Sequence, residues 1–425
     1  MRAPPAAEYP RAAAGQRLAL LLPSLDAGGV ARSMLTLAEG FAGAGHAVDL
    51  LPCRARGVYA GSIPAGVRLV ELESAGSLVS RLRLLRLDPG GWRALALPAL
   101  LPLKPAFAQR YVGDLAHYLR TERPVALLAA NTPANLLAVW ARQVAGTKTR
   151  IVVGEHSHLS LQARRTRRWR WRHVGPLVER VYPRADAIVA VSDGVAADLA
   201  RVAGIARGAI LTIHNPVVGG ELVRQTQQPP PHPWFADGGP PVIVAAGRLK
   251  PAKNFVLLLR AFAIVRRMRA VRLVIFGEGR LRAGLESLAR ELGVEADVAL
   301  PGHTPNPGAA FVRAALFALS SDWEGLPTVL IEALACGCPV VATDCPSGPA
   351  EILAGGRFGE LVPVGDADAL AAAIARTLDH PLPAETLRAR GAEFSVRRSV
   401  AQYLGVLLPG AGRDLALPGP ECRTA

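Results

Sequence analysis

Short apolar runs alternate with stretches of helical spacing along almost the whole of this 425-residue chain, and no other feature restricts its fold so tightly. A parallel neighbour strand is reached only through a crossover, usually a helix, so this alternation argues for parallel sheets. In the first half, strands are predicted near 17–22, 47–51, 67–72, 125–130, 150–153 and 187–191, with helices near 31–44, 111–121, 134–145, 168–183 and 193–203. In the second half, strands are predicted near 242–246, 271–276, 297–300, 315–320, 339–342 and 360–362, and Asp366 reads as the N-cap of a helix over 367–379. The segment 216–241, with Gln227-Gln-Pro-Pro-Pro231 and Gly238-Gly-Pro-Pro241, reads as a linker between two domains. A Leu-, Arg- and Pro-rich insert over 76–110 interrupts the pattern. The Gly- and Pro-rich tail after 408 is expected to be loose.

One segment carries more chemistry than the rest. Glu324-Gly-Leu-Pro-Thr-Val-Leu-Ile-Glu332 follows the apolar run Ala315–Leu319 and places two carboxylates around a Gly-x-Pro break. Pro327 suits the first position of a helix, where a missing N–H costs nothing. Glu324 then lies in the loop before that helix and Glu332 about one turn inside it. The free N–H groups of Thr328 and Val329 fall between them, where the helix dipole favours a phosphate. Hydroxyls on either side of a bound anion could be held this way, as a sugar–diphosphate–ribose ligand requires. The spacing alone also fits a surface helix with two acidic residues. Upstream, the apolar strand over 242–246 runs into a loop carrying Arg248, Lys250 and Lys253. Only four of the 49 basic residues are lysines, so two in one short loop stand out. Arg offers phosphate oxygens a planar fork and Lys a compact point charge.

With these segments and six others in order, the chain resembles the retaining glycosyltransferases of family 4, enzymes of the GT-B fold. The others are Asp26-Ala-Gly-Gly-Val30, Gly154-Glu-His-Ser-His158, Val191-Ser-Asp-Gly194, His214-Asn-Pro216, Phe276-Gly-Glu-Gly279 and the stretch from Gly337-Cys-Pro339 to Glu351-Ile352. The resemblance implies an α/β fold of two facing Rossmann-like domains with parallel sheets and a cleft between them. Residues 1–216 would form the acceptor-binding domain, completed by a C-terminal helix over 394–408, and 217–393 the nucleotide-sugar domain, with 409–425 as tail. It further implies that Arg248 and Lys253 neutralise the donor diphosphate, helped by the N–H groups of Thr328 and Val329. Glu332 would accept from the ribose, Glu324 would hold the transferred sugar, and His156 would sit near that sugar. Gly28 and Gly29 would let the backbone approach the diphosphate. Retention of configuration, by front-face attack, is implied in the same way.

No cofactor or metal is expected. The only Asp-x-Asp triplet is Asp366-Ala-Asp368, which reads as capping, and Cys336, Cys338 and Cys345 lack zinc spacing. The run Asp344-Cys-Pro-Ser-Gly-Pro349 resembles enzymes of lipid-linked glycan and lipopolysaccharide assembly, which favours a UDP-hexose or UDP-N-acetylhexosamine donor. GDP-mannose is the alternative, and a nucleotide-sugar epimerase of the same fold stays open, as does a non-enzymatic basic binding protein. The partners expected are a nucleotide-sugar donor and a glycan or lipid-linked acceptor.

Charge suggests where such an acceptor is met. Residues 1–230 carry a net charge of +14 of the chain's +15. The excess peaks at Arg164, Arg165, Arg167, Arg168, Arg170 and Arg172, interleaved with Trp169 and Trp171. A basic helix with boundary tryptophans suits an anionic membrane surface, although a soluble arginine-rich face has the same composition. No nucleic-acid-binding signature accompanies it. Leu18–Leu22 stops at Pro23 and Ala94–Leu103 is interrupted by two prolines, so neither has the roughly 20 residues needed to cross a bilayer. Five cysteines without regular spacing argue for a reducing compartment. The expected location is the cytoplasm, peripheral on the inner face of the plasma membrane.

Overall fold

The computed structural model describes residues 15–26, 28–74, 110–165 and 174–410. Among the described residues, seven parallel strands form the first sheet: β1 (Arg17–Leu22), β2 (Ala47–Pro52), β3 (Val67–Leu69), β4 (Ala126–Ala130), β5 (Arg150–Glu155), β6 (Ala187–Ala190) and β7 (Ile210–Thr212). Their spatial order is β3-β2-β1-β4-β5-β6-β7. Six parallel strands form the second sheet: β8 (Val242–Ala246), β9 (Arg272–Phe276), β10 (Val298–Gly302), β11 (Leu316–Leu319), β12 (Val340–Thr343) and β13 (Glu360–Val362), in the order β10-β9-β8-β11-β12-β13. Central strands such as β4 and β8 are buried at every residue, as expected of parallel strands covered by helices on both faces.

Each sheet reverses its direction of winding once, at β1/β4 in the first and at β8/β11 in the second. A doubly wound sheet binds ligands in the crevice at the carboxyl ends of the strands beside that reversal. The loops after β1, β8 and β11 therefore hold the candidate site.

The helix Val396–Leu407 packs away from the sheet that precedes it in sequence. Val400, Tyr403, Leu404 and Leu407 join the buried cluster of Leu18, Leu20 and Phe41 from the first sheet and its Gly29–Gly43 helix. Asp366 caps the helix Ala367–Asp379, its carboxylate accepting from Ala369 N at 2.8 Å.

Three expectations are corrected. The segment 216–241 is more than a linker: it contains the helix Gly220–Thr226, whose buried Leu222 and Gln225 face the helix Pro307–Phe311. The flanking Gly, Pro and Gln residues hid this one-sided burial. The short edge strand β7 was not anticipated, because its three residues bury only Ile210 fully. The helix within the Glu324–Glu332 motif starts at Thr328, leaving Pro327 as its N-cap with ψ of 90°. Of the helix expected over 168–183, Val174–Val181 is helical and Tyr182–Arg184 forms a 3-10 turn. The remainder, with Arg167, Arg168, Trp169 and Trp171, lies outside the described residues, as does nearly all of the insert and residues 411–425.

Candidate active site

The two sheets meet through loops. At Gly325 an added β-carbon would lie 2.1 Å from the His156 carbonyl oxygen, so only glycine permits this approach of the β11 loop to the β5 loop. Ser192 Oγ donates to the Gly325 carbonyl at 2.8 Å. On the same seam Glu351 accepts from Asp193 N at 2.8 Å and meets His214 Nε2 at 2.5 Å, while His214 O accepts from Ser399 Oγ at 2.9 Å. The motif residues His214 and Glu351 are thus structural staples between the halves.

On the second sheet's side, the chain leaves β8 through Gly247, and Arg248 stands exposed at the start of the loop. A 3-10 turn over Pro251–Lys253 follows, and Asn254 caps the next helix by accepting from Leu257 N at 3.2 Å. Asn254 also donates to Asp322 at 2.7 Å, and Ser320 Oγ donates to the Lys253 carbonyl at 2.9 Å. These bonds tie the β8 loop to the β11 loop. They bring Lys253 Nζ to 2.5 Å from Glu324 Oε1, which also accepts from Ser321 Oγ at 2.6 Å. Both charged side chains are mostly buried, with 13% and 12% exposure. Lys253, expected to meet a diphosphate, therefore faces the Glu324 carboxylate in this structure.

Past Glu324 the helix Thr328–Ala335 begins. Among the described residues the N–H groups of Thr328 and Val329 have no hydrogen-bond partner, whereas Leu330 N turns back to Pro327 O at 3.0 Å. Glu332, one turn further, is 1% exposed. Its Oε1 accepts from Arg32 Nη1 of the first half at 2.5 Å, and its Oε2 is buried without a partner. Burial pushes this carboxyl above the usual range and Arg32 opposes the shift. The sequence reading missed Arg32, although it lies just past the Gly28-Gly29 pair in the first turn of the Gly29–Gly43 helix.

Gly28 and Gly29 face the same space. A β-carbon at Gly28 would be in ordinary contact with Arg248 Nη2 at 3.5 Å, and one at Gly29 would meet nothing within 4 Å. Among the described residues no close protein contact accounts for glycine at either position.

The opposite wall is built on a buried carboxylate. Glu155, fully buried at the end of β5, accepts from Thr132 Oγ1 at 2.9 Å, from Tyr182 OH at 2.9 Å and from His156 N at 3.2 Å. Asn135 Nδ2 extends the network to Tyr182 OH at 2.8 Å and Gly154 O at 2.9 Å. Burial pushes the Glu155 carboxyl up to about 7, opposed by these donors. His156 follows it, and burial pushes its imidazole down to about 4, so at neutral pH it is an uncharged ring able to hydrogen-bond a hydroxyl.

The structure thus brings Gly28 beside Arg248, Arg32 to Glu332, Lys253 to Glu324 and the His156 carbonyl against Gly325, with Gly29, Thr328 and Val329 next to them in sequence, where the loops of the two sheets meet. Of the expected membrane-facing set, Arg164 is exposed on the helix Leu159–Arg165, and Arg165 ends that helix. Among the described residues no group of three His, Cys, Asp or Glu could hold a metal, and no helix is long and apolar enough to cross a membrane.

Comparison with known proteins gives a consistent picture. Residues 27–218 match the model for glycosyltransferase family 4, and residues 231–394 match that for glycosyl transferases group 1. Over 241 residues the chain is 34% identical to the N-acetylgalactosamine-N,N'-diacetylbacillosaminyl-diphospho-undecaprenol 4-alpha-N-acetylgalactosaminyltransferase of Campylobacter jejuni, covering 56% of this chain and 62% of that protein. Over 163 residues it is 32% identical to the lipopolysaccharide core biosynthesis glycosyltransferase LpsE of Rhizobium meliloti, covering 38% of this chain and 46% of that one. These matches span less than two thirds of either relative. Among solved structures, Anabaena HepE in complex with UDP superposes with a TM-score of 0.68 at 19% identity, covering 92% of this chain and 99% of that one. The fold is therefore GT-B.

Proposed function

We propose that this chain, which belongs to the family 4 glycosyltransferases, moves a hexose or N-acetylhexosamine from a UDP-sugar to a glycan or lipid-linked acceptor, with retention and without a metal ion. The carrying observation is the cluster at the second sheet's reversal: Arg248, the Lys253–Glu324 pair, the free N–H groups of Thr328 and Val329, and Glu332 with one open oxygen. Departure of a nucleoside diphosphate builds negative charge, and two fixed cations with a helix N-terminus stabilise it without reorganising. Arg248 and Lys253 take the diphosphate, Glu332 the ribose and Glu324 the transferred sugar, while neutral His156 bonds a sugar hydroxyl from the other wall. The leaving diphosphate oxygen receives the acceptor proton on the front face. The Campylobacter relative's action on a diphospho-undecaprenol substrate and the UDP seen in the Anabaena structure support the donor and acceptor classes.

The test is a panel of UDP- and GDP-sugars offered to the purified protein in EDTA and in Mg²⁺, scored for nucleoside diphosphate release. Release from UDP-sugars at equal rates in both buffers is expected. A preference for GDP-mannose, or chemistry only with Mg²⁺, would contradict the donor or the metal-free reading respectively.

The first half's charge of +14 further supports work at the inner face of a membrane. Each Lys or Arg near an anionic leaflet contributes about 1 kcal/mol, which salt screens. Binding to anionic liposomes should fall steeply with salt and with Arg→Gln changes at 164, 165, 167 and 168. Equal partitioning onto neutral and anionic liposomes would leave these arginines as a soluble face.

A further inference from the structure

Glu332 and Arg32 are 300 residues apart in sequence and lie on opposite halves of the molecule. The carboxylate is 1% exposed, with Oε1 bonded to Arg32 Nη1 and Oε2 buried without a partner. A buried charge is tolerated only when paired, and removing one partner leaves the other to be neutralised or paid for in full. No other cation is bonded to this carboxylate among the described residues. An orphaned acceptor of this kind is costly unless a donor arrives from outside the protein.

We propose that Arg32 is a positioning residue for the donor: from across the cleft it holds Glu332 charged and turned so that Oε2 receives a ribose hydroxyl. The inference rests on the nucleotide-sugar reading above and adds to it a dependence on the first half. The ribose site is complete only when the Gly29–Gly43 helix brings Arg32 to Glu332, so approach of the two halves and capture of the donor reinforce each other. Arg32 touches no reacting atom in this scheme. It acts through the oxygen that its partner leaves open.

Binding of UDP and of its 2′-deoxy and 3′-deoxy forms, with GDP in parallel, to wild type, Arg32→Gln, Arg32→Lys and Glu332→Gln tests this by calorimetry. A hydrogen bond to a charged group carries roughly a tenfold or greater effect on affinity. Wild type should prefer UDP to at least one deoxy form by about that factor. Arg32→Gln should lose that preference together with UDP affinity, as Glu332→Gln does, and Arg32→Lys should restore part of both. A merely structural role would weaken all ligands alike and leave the preference unchanged. If Arg32→Gln keeps wild-type affinity and preference while Glu332→Gln loses them, the inference is overturned and the nucleotide site stands. If wild type binds neither UDP nor GDP, the nucleotide-sugar reading fails first. Should Arg32→Gln not fold, Arg32→Met carries the same test, and an unchanged preference there overturns the inference.

Discussion

Glu155 and Glu332 are both buried carboxylates on the walls of one cleft, and their surroundings are opposite in kind. Glu155 is ringed by neutral donors, Thr132, Tyr182 and the His156 N–H, with both oxygens occupied. Glu332 has one oxygen on an arginine from the other half and one with nothing. A satisfied buried polar group specifies a local shape, here the turn that carries His156 towards Gly325. An unsatisfied one is tolerated where a ligand completes it. The comparison teaches that burial of a carboxylate does not by itself mark a binding residue; its open valence does. Lys253 and Glu324 stand between the two cases, paired with each other at 2.5 Å yet open towards the cleft.

The strongest challenge to this contrast is Lys253→Ala. If the second wall stabilises the leaving diphosphate, the loss should be roughly 2–4 kcal/mol of transition-state stabilisation, read as kcat/KM for donor turnover. The unfolding midpoint should fall as well, because Glu324 is left without its buried cation, so turnover is compared at a temperature where both proteins are folded. Activity within about threefold of wild type would take Lys253 out of the site.

Glu155→Gln sharpens the other side of the contrast. Burial raises the folded carboxyl to about 7 against an ordinary 4.5, so the folded state keeps its proton where the unfolded chain has lost it. Stability falls with rising pH wherever the folded state binds more protons. The wild type should therefore lose ~3 kcal/mol relative to Glu155→Gln between about pH 4.5 and 7, and no more above that. Urea unfolding across this range measures the difference. Turnover by the variant should stay within a few-fold of wild type, because this carboxylate meets no ligand. Parallel stability curves, or abolished turnover with an intact fold, would put Glu155 in the same class as Glu332.

Gly325→Ala attacks the seam between the walls without touching either carboxylate. Its β-carbon would lie 2.1 Å from the His156 carbonyl oxygen, so the loops must part, and overpacking of this sort costs about 1–3 kcal/mol. Because Glu324 precedes it, kcat should fall more than stability. Unchanged kcat would show that the approach of the loops is not needed for chemistry. The smallest effect on turnover is expected from Ser192→Ala, which removes the 2.8 Å bond to the Gly325 carbonyl and the cap on Val195 N, at about 1 kcal/mol each. Unfolding should shift more than turnover, and a loss of activity as large as that of Lys253→Ala would give Ser192 a role beyond the seam.

Most of the strands could be read in advance because their apolar runs are long relative to their flanks, as in Val242–Ala246 and Arg272–Phe276. Ile210–Thr212 could not, since its Leu211 is 43% exposed and the alternation signal vanishes over three residues. The Gly220–Thr226 helix was masked by the prolines and glutamines after it, and only its packing against Pro307–Phe311 reveals it. In the site, Glu324, Lys253 and Glu332 were legible from loop-and-helix grammar and from the resemblance. Arg32 and Ser192 were not, because their partners lie 300 and 133 residues away.

What the sequence determined by itself is therefore the local and the repeated: parallel strands, crossover helices, and which loops end at the carboxyl edges of the sheets. These follow from spacings of two and of three to four residues, which neighbours along the chain impose on one another. Tertiary structure alone decided which charges meet. Lys253 pairs with Glu324 where two loops of the second sheet converge, Glu155 closes on Tyr182 inside the first half, and Arg32 reaches Glu332 only where the two halves face each other across the seam at Gly325. Interaction between charges depends on distance and on burial, and both are properties of the folded arrangement rather than of any stretch of the chain.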